Sequence, residues 1–167
     1  MDEDSILVHQ TGPLGIVKVN GRGSFRTARL VKLFGEQAEA LGISKIAYDL
    51  KDCTYMDSTF MGVMASLGAA QRKRTGEALQ VFNPSPRNLE LLENLGLNHL
   101  LDIRSGPGPT SPASNPVEIV AQPESKQEIS EMMLDAHEAL VEVNPANAAQ
   151  FQDVITFLRE RLGLNVA

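Results

Sequence analysis

The chain has 167 residues, 43% hydrophobic content and a formal net charge of −6, which supports a packed core and excludes a wholly disordered chain. Its single cysteine, Cys53, excludes an internal disulfide and a thiolate-based metal site. No apolar run approaches the roughly 20 residues of a membrane helix, and the acidic start Met1-Asp2-Glu3-Asp4 is unlike a secretory signal, so we expect a cytoplasmic protein without membrane insertion.

The chain opens with two short strand patterns, at residues 6–8 and 15–19. Thr11-Gly12-Pro13 between them has the chemistry of a turn, which favours a hairpin. Residues 25–41 then repeat apolar side chains at helical spacing, and Gly42 is a natural stop. These patterns predict a hairpin followed by a helix.

A basic cluster surrounds the start of that helix: Arg22, Arg26, Arg29 and Lys32. Cations at a helix N-terminus oppose the helix dipole. The cluster is either a contact patch for an acidic partner or solvated surface, and we favour the second interpretation.

Strand and helix patterns alternate through the next sixty residues. Strands are predicted at 45–50 and 78–82, helices at 58–74 and 87–95, and a last short strand within 97–103. A strand that follows a helix after a short link indicates a right-handed crossover and parallel pairing. The alternation predicts a small α/β domain over residues 1–104, with a mixed sheet.

Residues 105–123 change in character. Pro and Gly recur in Ser105-Gly106-Pro107-Gly108-Pro109, which indicates a linker between two parts of the chain. Residues 124–167 then show two amphipathic helical patterns and carry 8 acidic and 3 basic residues. They predict a helical hairpin too small to fold alone, so its apolar stripes dock on the preceding domain or form a homodimer through residues 124–162. We favour the homodimer.

The stretch Met56-Asp57-Ser58-Thr59 stands between the strand at 45–50 and the helix at 58–74. Asp57 occupies the N-cap position, where its carboxylate can accept hydrogen bonds from the first helical turn. Ser58 then falls near the positive end of the helix dipole, where a phosphate is favoured. A plain helix cap explains the same residues, and the spacing alone favours that simpler interpretation.

This stretch, with Tyr48-Asp49-Leu50 before it and a helix rich in small residues after it, resembles the STAS domain of bacterial anti-sigma-factor antagonists. The resemblance covers roughly the first hundred residues, as suits one small domain. The family often has Gly where this chain has Phe60, which bears on the shape of the contact surface. The resemblance implies an STAS-like mixed sheet with helices, followed here by the linker and the helical hairpin.

The resemblance also implies the site. The serine at this position is phosphorylated in the family by a histidine-kinase-like ATPase, which makes Ser58 the predicted phosphoacceptor and Thr59 the weaker candidate. The partner, an anti-sigma factor or such a serine kinase, is expected to contact residues of the loop and helix around Ser58. They are Asp57, Ser58, Thr59, Met61, Gly62 and Ala65.

We find no catalytic constellation in the sequence. The three histidines, His9, His99 and His137, lie in unrelated segments without metal-ligand spacing. Asp49 and Asp52, with Asp57, are more simply turn formers and caps than a cation site. We therefore predict a protein without catalytic activity, cofactor or direct nucleic-acid contact. The alternative is a STAS-type accessory subunit of a transporter or lipid-trafficking complex, in which Ser58 is only a cap.

Overall fold

A computed structural model of the chain describes residues 4–109 and 115–166. The strands in these ranges are β1 (Ser5–Thr11), β2 (Leu14–Gly23), β3 (Lys45–Asp49), β4 (Cys53–Met56), β5 (Gln80–Phe82), β6 (Asp102–Arg104) and β7 (Asn115–Val117). The α-helices are α1 (Phe25–Gln37), α2 (Ser58–Thr75), α3 (Pro86–Asn94), α4 (Lys126–Val143) and α5 (Ala148–Arg161).

The strands form one mixed sheet in the order β6-β5-β3-β2-β1-β7, and β4 pairs with the end of β2. β1 and β2 form the predicted antiparallel hairpin, in which Thr11 pairs with Leu14. The pairs β2–β3, β3–β5 and β5–β6 are parallel, as the strand-helix alternation predicts. The fold class expected from the sequence, a mixed α/β domain followed by C-terminal helices, is confirmed.

Helix starts in this fold follow local chemistry. Asp57 caps α2, and the Ser85 hydroxyl accepts from the Asn88 amide at the start of α3, with Pro86 as the first helical residue. At the other end of α2, Gly76 takes a left-handed conformation with φ 77° and donates to the Arg72 carbonyl. These caps fix both ends of α2 and the start of α3.

Tyr48 lies in the middle of the sheet, on β3, where it is fully buried. Its hydroxyl has no hydrogen-bond partner among the described residues, and burial raises the pKa of the phenol. Because an unsatisfied buried hydroxyl costs roughly 1–3 kcal/mol, we expect Tyr48→Phe to raise the free energy of unfolding by about 1 kcal/mol. Urea denaturation measures the change, and a loss of stability would show that the hydroxyl has a favourable contact.

Two strands were not predicted. No strand was predicted between the strand at 45–50 and the helix at 58–74, but β4 lies there, and its residues Cys53 and Tyr55 pair with Gly21 and Arg22 of β2. Part of the expected linker forms β7, which pairs with β1 at the edge of the sheet. An edge strand tolerates Pro116 because it needs no ladder hydrogen bond on its outer side. Helix α1 also ends at Gln37, earlier than the predicted residue 41.

The two C-terminal helices, α4 and α5, form a pair that we call the C-terminal hairpin. α4 packs along α2 of the same chain. The amide of Asn147, in the turn between α4 and α5, donates to the carbonyl of Leu95 at the end of α3. Of the two arrangements expected from the sequence, the structure shows docking within the chain.

The segment leading into the hairpin is fixed to α1. Arg29 and Glu124 form an ion pair of 2.8 Å in which both side chains are largely buried. The Gln37 amide donates to the Val120 carbonyl at 3.0 Å. With β7, these contacts lead the chain from the far edge of the sheet, past α1, to the start of α4.

Candidate functional site

Asp57 joins the N-termini of two helices. One carboxylate oxygen accepts from the Phe60 amide of α2 at 2.8 Å, and the other accepts from the Phe25 amide of α1 at 3.1 Å. The Asp57 amide in turn donates to the Gly23 carbonyl at the end of β2. The predicted N-cap is present, and the same carboxylate also fixes the start of α1 beside the start of α2.

Ser58, the first residue of α2, lies against the C-terminal hairpin. Its hydroxyl oxygen is 2.9 Å from Nε2 of His137 on α4, although the two residues are 79 positions apart. Nδ1 of His137 lies 2.6 Å from the Met133 carbonyl, which can only accept, so Nδ1 carries the proton. In the neutral ring Nε2 is then an acceptor, and the Ser58 hydroxyl donates to it.

This contact corrects two expectations. Ser58 was expected to be accessible to a kinase and a partner, but its side chain is half-buried, and His137 is only 3% exposed. His137 was expected to be unrelated to the site. The ring of Phe151 on α5 meets the imidazole edge to face at 5.2 Å and holds it from the other side. The one signal in the sequence was a histidine within the apolar face of a helix, beside Ala136 and Leu140.

The other predicted partner-binding residues lie on the same side of α2 and are covered. Met61, Gly62 and Ala65, which we call the α2 face, are all buried. A methyl group on Gly62 would collide with the backbone carbonyl of Ala136, so the two helices are in close contact at this point. Thr59 is 4% exposed. The structure therefore brings the predicted site residues together at the start of α2, with Ser58 and Gly62 directly against α4.

The basic cluster near the site is largely paired within the chain. Arg22 contacts Asp4 at 3.0 Å and Arg29 contacts Glu124, as described above. Lys32 pairs with a glutamate one turn along α1, and the Arg26 guanidinium lies 5.7 Å from the centre of the Phe25 ring. Arg29 is thus an internal contact and not the solvated surface expected, and the pairing leaves little free charge for an acidic partner.

The aspartates considered for a cation site have structural contacts. Asp49 accepts from the Lys51 amide at 3.0 Å, and Asp52 pairs with Lys18 at 3.2 Å. Within residues 4–109 and 115–166, no group of three potential metal ligands converges. Cys53 is buried, and burial raises the pKa of its thiol, as fits a packing residue.

A hydroxyl that donates to an imidazole is also the arrangement of a nucleophile and its base. Here the imidazole is buried, and its Nδ1 is oriented by a backbone carbonyl. A cavity of about 520 Å³ lies further along the α2–α4 contact, and neither Ser58 nor His137 lines it. Its polar lining comes from Ser66, Arg72, His99 and Glu142. The arrangement holds Ser58 in place, and this cavity does not reach its hydroxyl.

Comparison with known families identifies the domain. A family model of the STAS domain matches residues 5–108, which span all elements from β1 to β6. The chain belongs to the STAS family. The match ends before α4, so the C-terminal hairpin that covers Ser58 lies outside the shared domain. None of the helices in the described ranges is long and apolar enough to cross a membrane.

Solved structures with the same fold include anti-sigma factor antagonists. The unphosphorylated form of SpoIIAA matches with a TM-score of 0.52 and 10% identity, over 62% of this chain and 90% of its own. The phosphorylated form of SpoIIAA, the Bacillus cell fate determinant, matches with a TM-score of 0.51 and 13% identity, over 62% and 92%. A Thermotoga maritima protein assigned as an anti-sigma factor antagonist matches at 0.52 and 19%, over 59% and 85%. A comparison with curated protein sequences found no significant match.

Proposed function

We propose that this STAS protein is a phosphorylation-controlled binding module that acts as an anti-sigma-factor antagonist and has no catalytic activity. The observation that carries the proposal is the position of Ser58. Its hydroxyl is the first side chain of α2, directly after the Asp57 cap, in the segment whose resemblance to the family implies a phosphorylated serine. The similar protein SpoIIAA is known in unphosphorylated and phosphorylated forms, which supports a switch of this kind.

The partner is a protein, either an anti-sigma factor or a histidine-kinase-like serine kinase. In this proposal it binds Asp57, Ser58, Thr59 and the α2 face. A phosphoryl group on Ser58 adds about −1.5 to −2 charges. Beside the Asp57 carboxylate, in a contact that excludes water, this charge weakens binding through repulsion and desolvation. The same charge in the free protein is tolerated, because it lies at a helix N-terminus.

Ser58→Ala should abolish labelling by the cognate kinase. Candidate kinases from the source organism are incubated with ATP and the full chain, and phosphopeptides are mapped by mass spectrometry. We expect a single phosphoryl group at Ser58, because Thr59 is buried. Removing the hydroxyl leaves Nε2 of His137 without its partner and costs about 1 kcal/mol of stability, so the variant stays folded.

Ser66→Ala is the matched control, since Ser66 is exposed on the same helix. It should be labelled like the wild type. Undiminished labelling of Ser58→Ala would contradict the assignment and transfer it to Thr59 or another residue. If no kinase labels the chain and membrane components co-purify with it, the accessory subunit of a transporter or lipid-trafficking complex becomes the better explanation.

Two further expectations belong to this proposal. A cytoplasmic location follows from the role assigned to the partner.

A homodimer through residues 124–162 is not needed, because α4 buries Met132, Ala136 and Leu140 within the chain. We therefore propose that the protein acts as a monomer until it meets its partner.

A further inference from the structure

We propose that the C-terminal hairpin is a built-in competitor of the partner. Closed on α2, it withholds both the Ser58 hydroxyl and the α2 face, and the switch works only when the hairpin leaves. This inference rests on the proposed function, since it assigns the regulation of the same site. The hairpin lies outside the matched STAS domain, so this control is a property of this chain.

The first observation is the extent of the cover. The α2 face is buried beneath α4, and the close contact between Gly62 and the Ala136 backbone leaves no space for another chain. A partner that binds Met61, Gly62 and Ala65 needs the area that α4 occupies. The partner and the hairpin therefore bind this face in turn and never together.

The second observation is the position of His137. A kinase aligns the γ-phosphorus of ATP with the attacking oxygen and the leaving oxygen of ADP. Transfer forms a bond from Ser58 Oγ to that phosphorus, breaks the bond to the bridging oxygen of ADP, and passes the hydroxyl proton to the catalytic base of the kinase. In the closed chain, Nε2 of His137 lies 2.9 Å from Ser58 Oγ and accepts a hydrogen bond from the Ser58 hydroxyl. ATP cannot approach along this direction until α4 moves.

The same geometry makes closure and phosphorylation mutually exclusive. A phosphoryl group replaces the hydroxyl hydrogen by a phosphorus with three oxygens, whereas the closed state has only hydrogen-bond distance between Oγ and the imidazole. Any effect of closure on phosphorylation is reciprocal, because the two equilibria are linked. Closure therefore protects Ser58, and a phosphoryl group on Ser58 keeps the hairpin open.

Opening leaves the STAS domain intact. The contacts that close the hairpin are side-chain packing and a few releasable polar bonds, such as the one from Asn147 to the Leu95 carbonyl. The strand β7 and the Arg29–Glu124 ion pair lie before α4 and can keep the released hairpin tethered. A closed population of about 99% would lower the apparent partner affinity about a hundredfold.

Access to position 58 can be measured without a kinase. The full chain carries Ser58→Cys, and the rate of N-ethylmaleimide addition at position 58 is followed by mass spectrometry. Leu140 is fully buried in the core and Leu164 is 48% exposed, so Leu140→Asp opens the hairpin and Leu164→Asp is its matched control. We expect Leu140→Asp to raise the rate at least about tenfold, and Leu164→Asp to change it less than about twofold.

Cys53 reports on the domain in the same samples, because its buried thiol should react slowly in every variant. If Cys53 becomes reactive in Leu140→Asp, the domain itself has opened, and Gly62→Ala replaces this variant. Its added methyl displaces α4, whereas the control Gly68→Ala meets only side-chain atoms, the end of Leu101 closely and Leu100 at ordinary contact distance. The proposal is overturned if position 58 is labelled at the same rate in the variant that opens the hairpin and in its matched control.

The effect of phosphorylation on the hairpin is tested with phosphoserine incorporated at position 58 during translation. Hydrogen exchange should show lost protection in α4 and α5, while β2 and β3 keep theirs. Retained protection of α4 would mean that the phosphoryl group pairs with His137 and pins the hairpin closed, which contradicts the proposal. Neither the maleimide labelling nor the hydrogen exchange needs a kinase. Both can therefore contradict the control by the hairpin while Ser58 is still a phosphosite, and both can support it when no kinase is found.

Discussion

In a chain whose C-terminal hairpin has been released, Ser58→Asp should weaken binding of the proposed protein partner about a hundredfold, which corresponds to about 2.7 kcal/mol. The new carboxylate lies next to Asp57, whose own oxygens already accept from the amides of Phe60 and Phe25. In an interface that excludes water, the new carboxylate therefore has no free amide beside it to donate a hydrogen bond. An unpaired charge buried in this way costs roughly 3–5 kcal/mol, so a hundredfold loss is a conservative expectation.

The hairpin complicates this measurement, because Ser58→Asp also disturbs the contact with His137. An opened hairpin would raise affinity while the charge lowers it. The titration is therefore done in the Leu140→Asp background, where the hairpin is released in every sample. Ala70→Asp adds the same charge to an exposed position of the same helix, on the side that faces α1, and should leave the affinity unchanged.

Stability should respond much less than affinity. In the free protein the charge stands at the N-terminus of α2, where an anion is favoured by roughly 0.3–1 kcal/mol. Calorimetric titration gives the affinity, and urea denaturation gives the free energy of unfolding. Equal partner affinities with and without the Ser58→Asp substitution would contradict a switch at this residue, whatever the stability shows.

Local chemistry explains which parts of this structure were predictable. The starts of α2 and α3 follow from Asp57 and from Ser85 with Pro86, because a cap and its amides lie within three residues of one another. The β1–β2 hairpin likewise follows from its turn sequence. The parallel sheet followed from the alternation of strands and helices, since a crossover helix returns the chain so that the next strand runs in the same direction.

The missed elements depend on contacts between distant segments. β4 and β7 are short, and each exists because a free strand edge lies beside it, at the end of β2 and along β1. No local pattern indicates such an edge. Pro116 even argues against a strand, except at the edge position that it occupies.

The candidate site was half predictable for the same reason. The cap and the serine are local, so the sequence placed Asp57 and Ser58 at the start of α2. The contact from Ser58 to His137 joins positions 79 residues apart, and it exists only because α4 docks on α2. The small side chains of the α2 face indicated a close neighbour, but small residues fit an external partner and a helix of the same chain equally well.

Leu140→Asp should raise the affinity for the proposed protein partner at least about tenfold over the wild type, because the hairpin no longer competes for the α2 face. Leu140 is fully buried. Its replacement by Asp removes apolar packing and would bury a charge, so docking of α4 on α2 becomes unfavourable. The substituted residue lies on the hairpin, so the α2 face itself is unchanged. Leu164→Asp, at an exposed leucine, controls for the added charge.

The measurement that tests the central claim most directly is therefore calorimetric titration of the partner into the wild type, Leu140→Asp and Leu164→Asp. The claim is that one face of α2 serves both the hairpin and the partner. It predicts tighter binding by Leu140→Asp, with the wild type and Leu164→Asp equal to each other. A folded Leu140→Asp chain that binds the partner no more tightly than the wild type would contradict it.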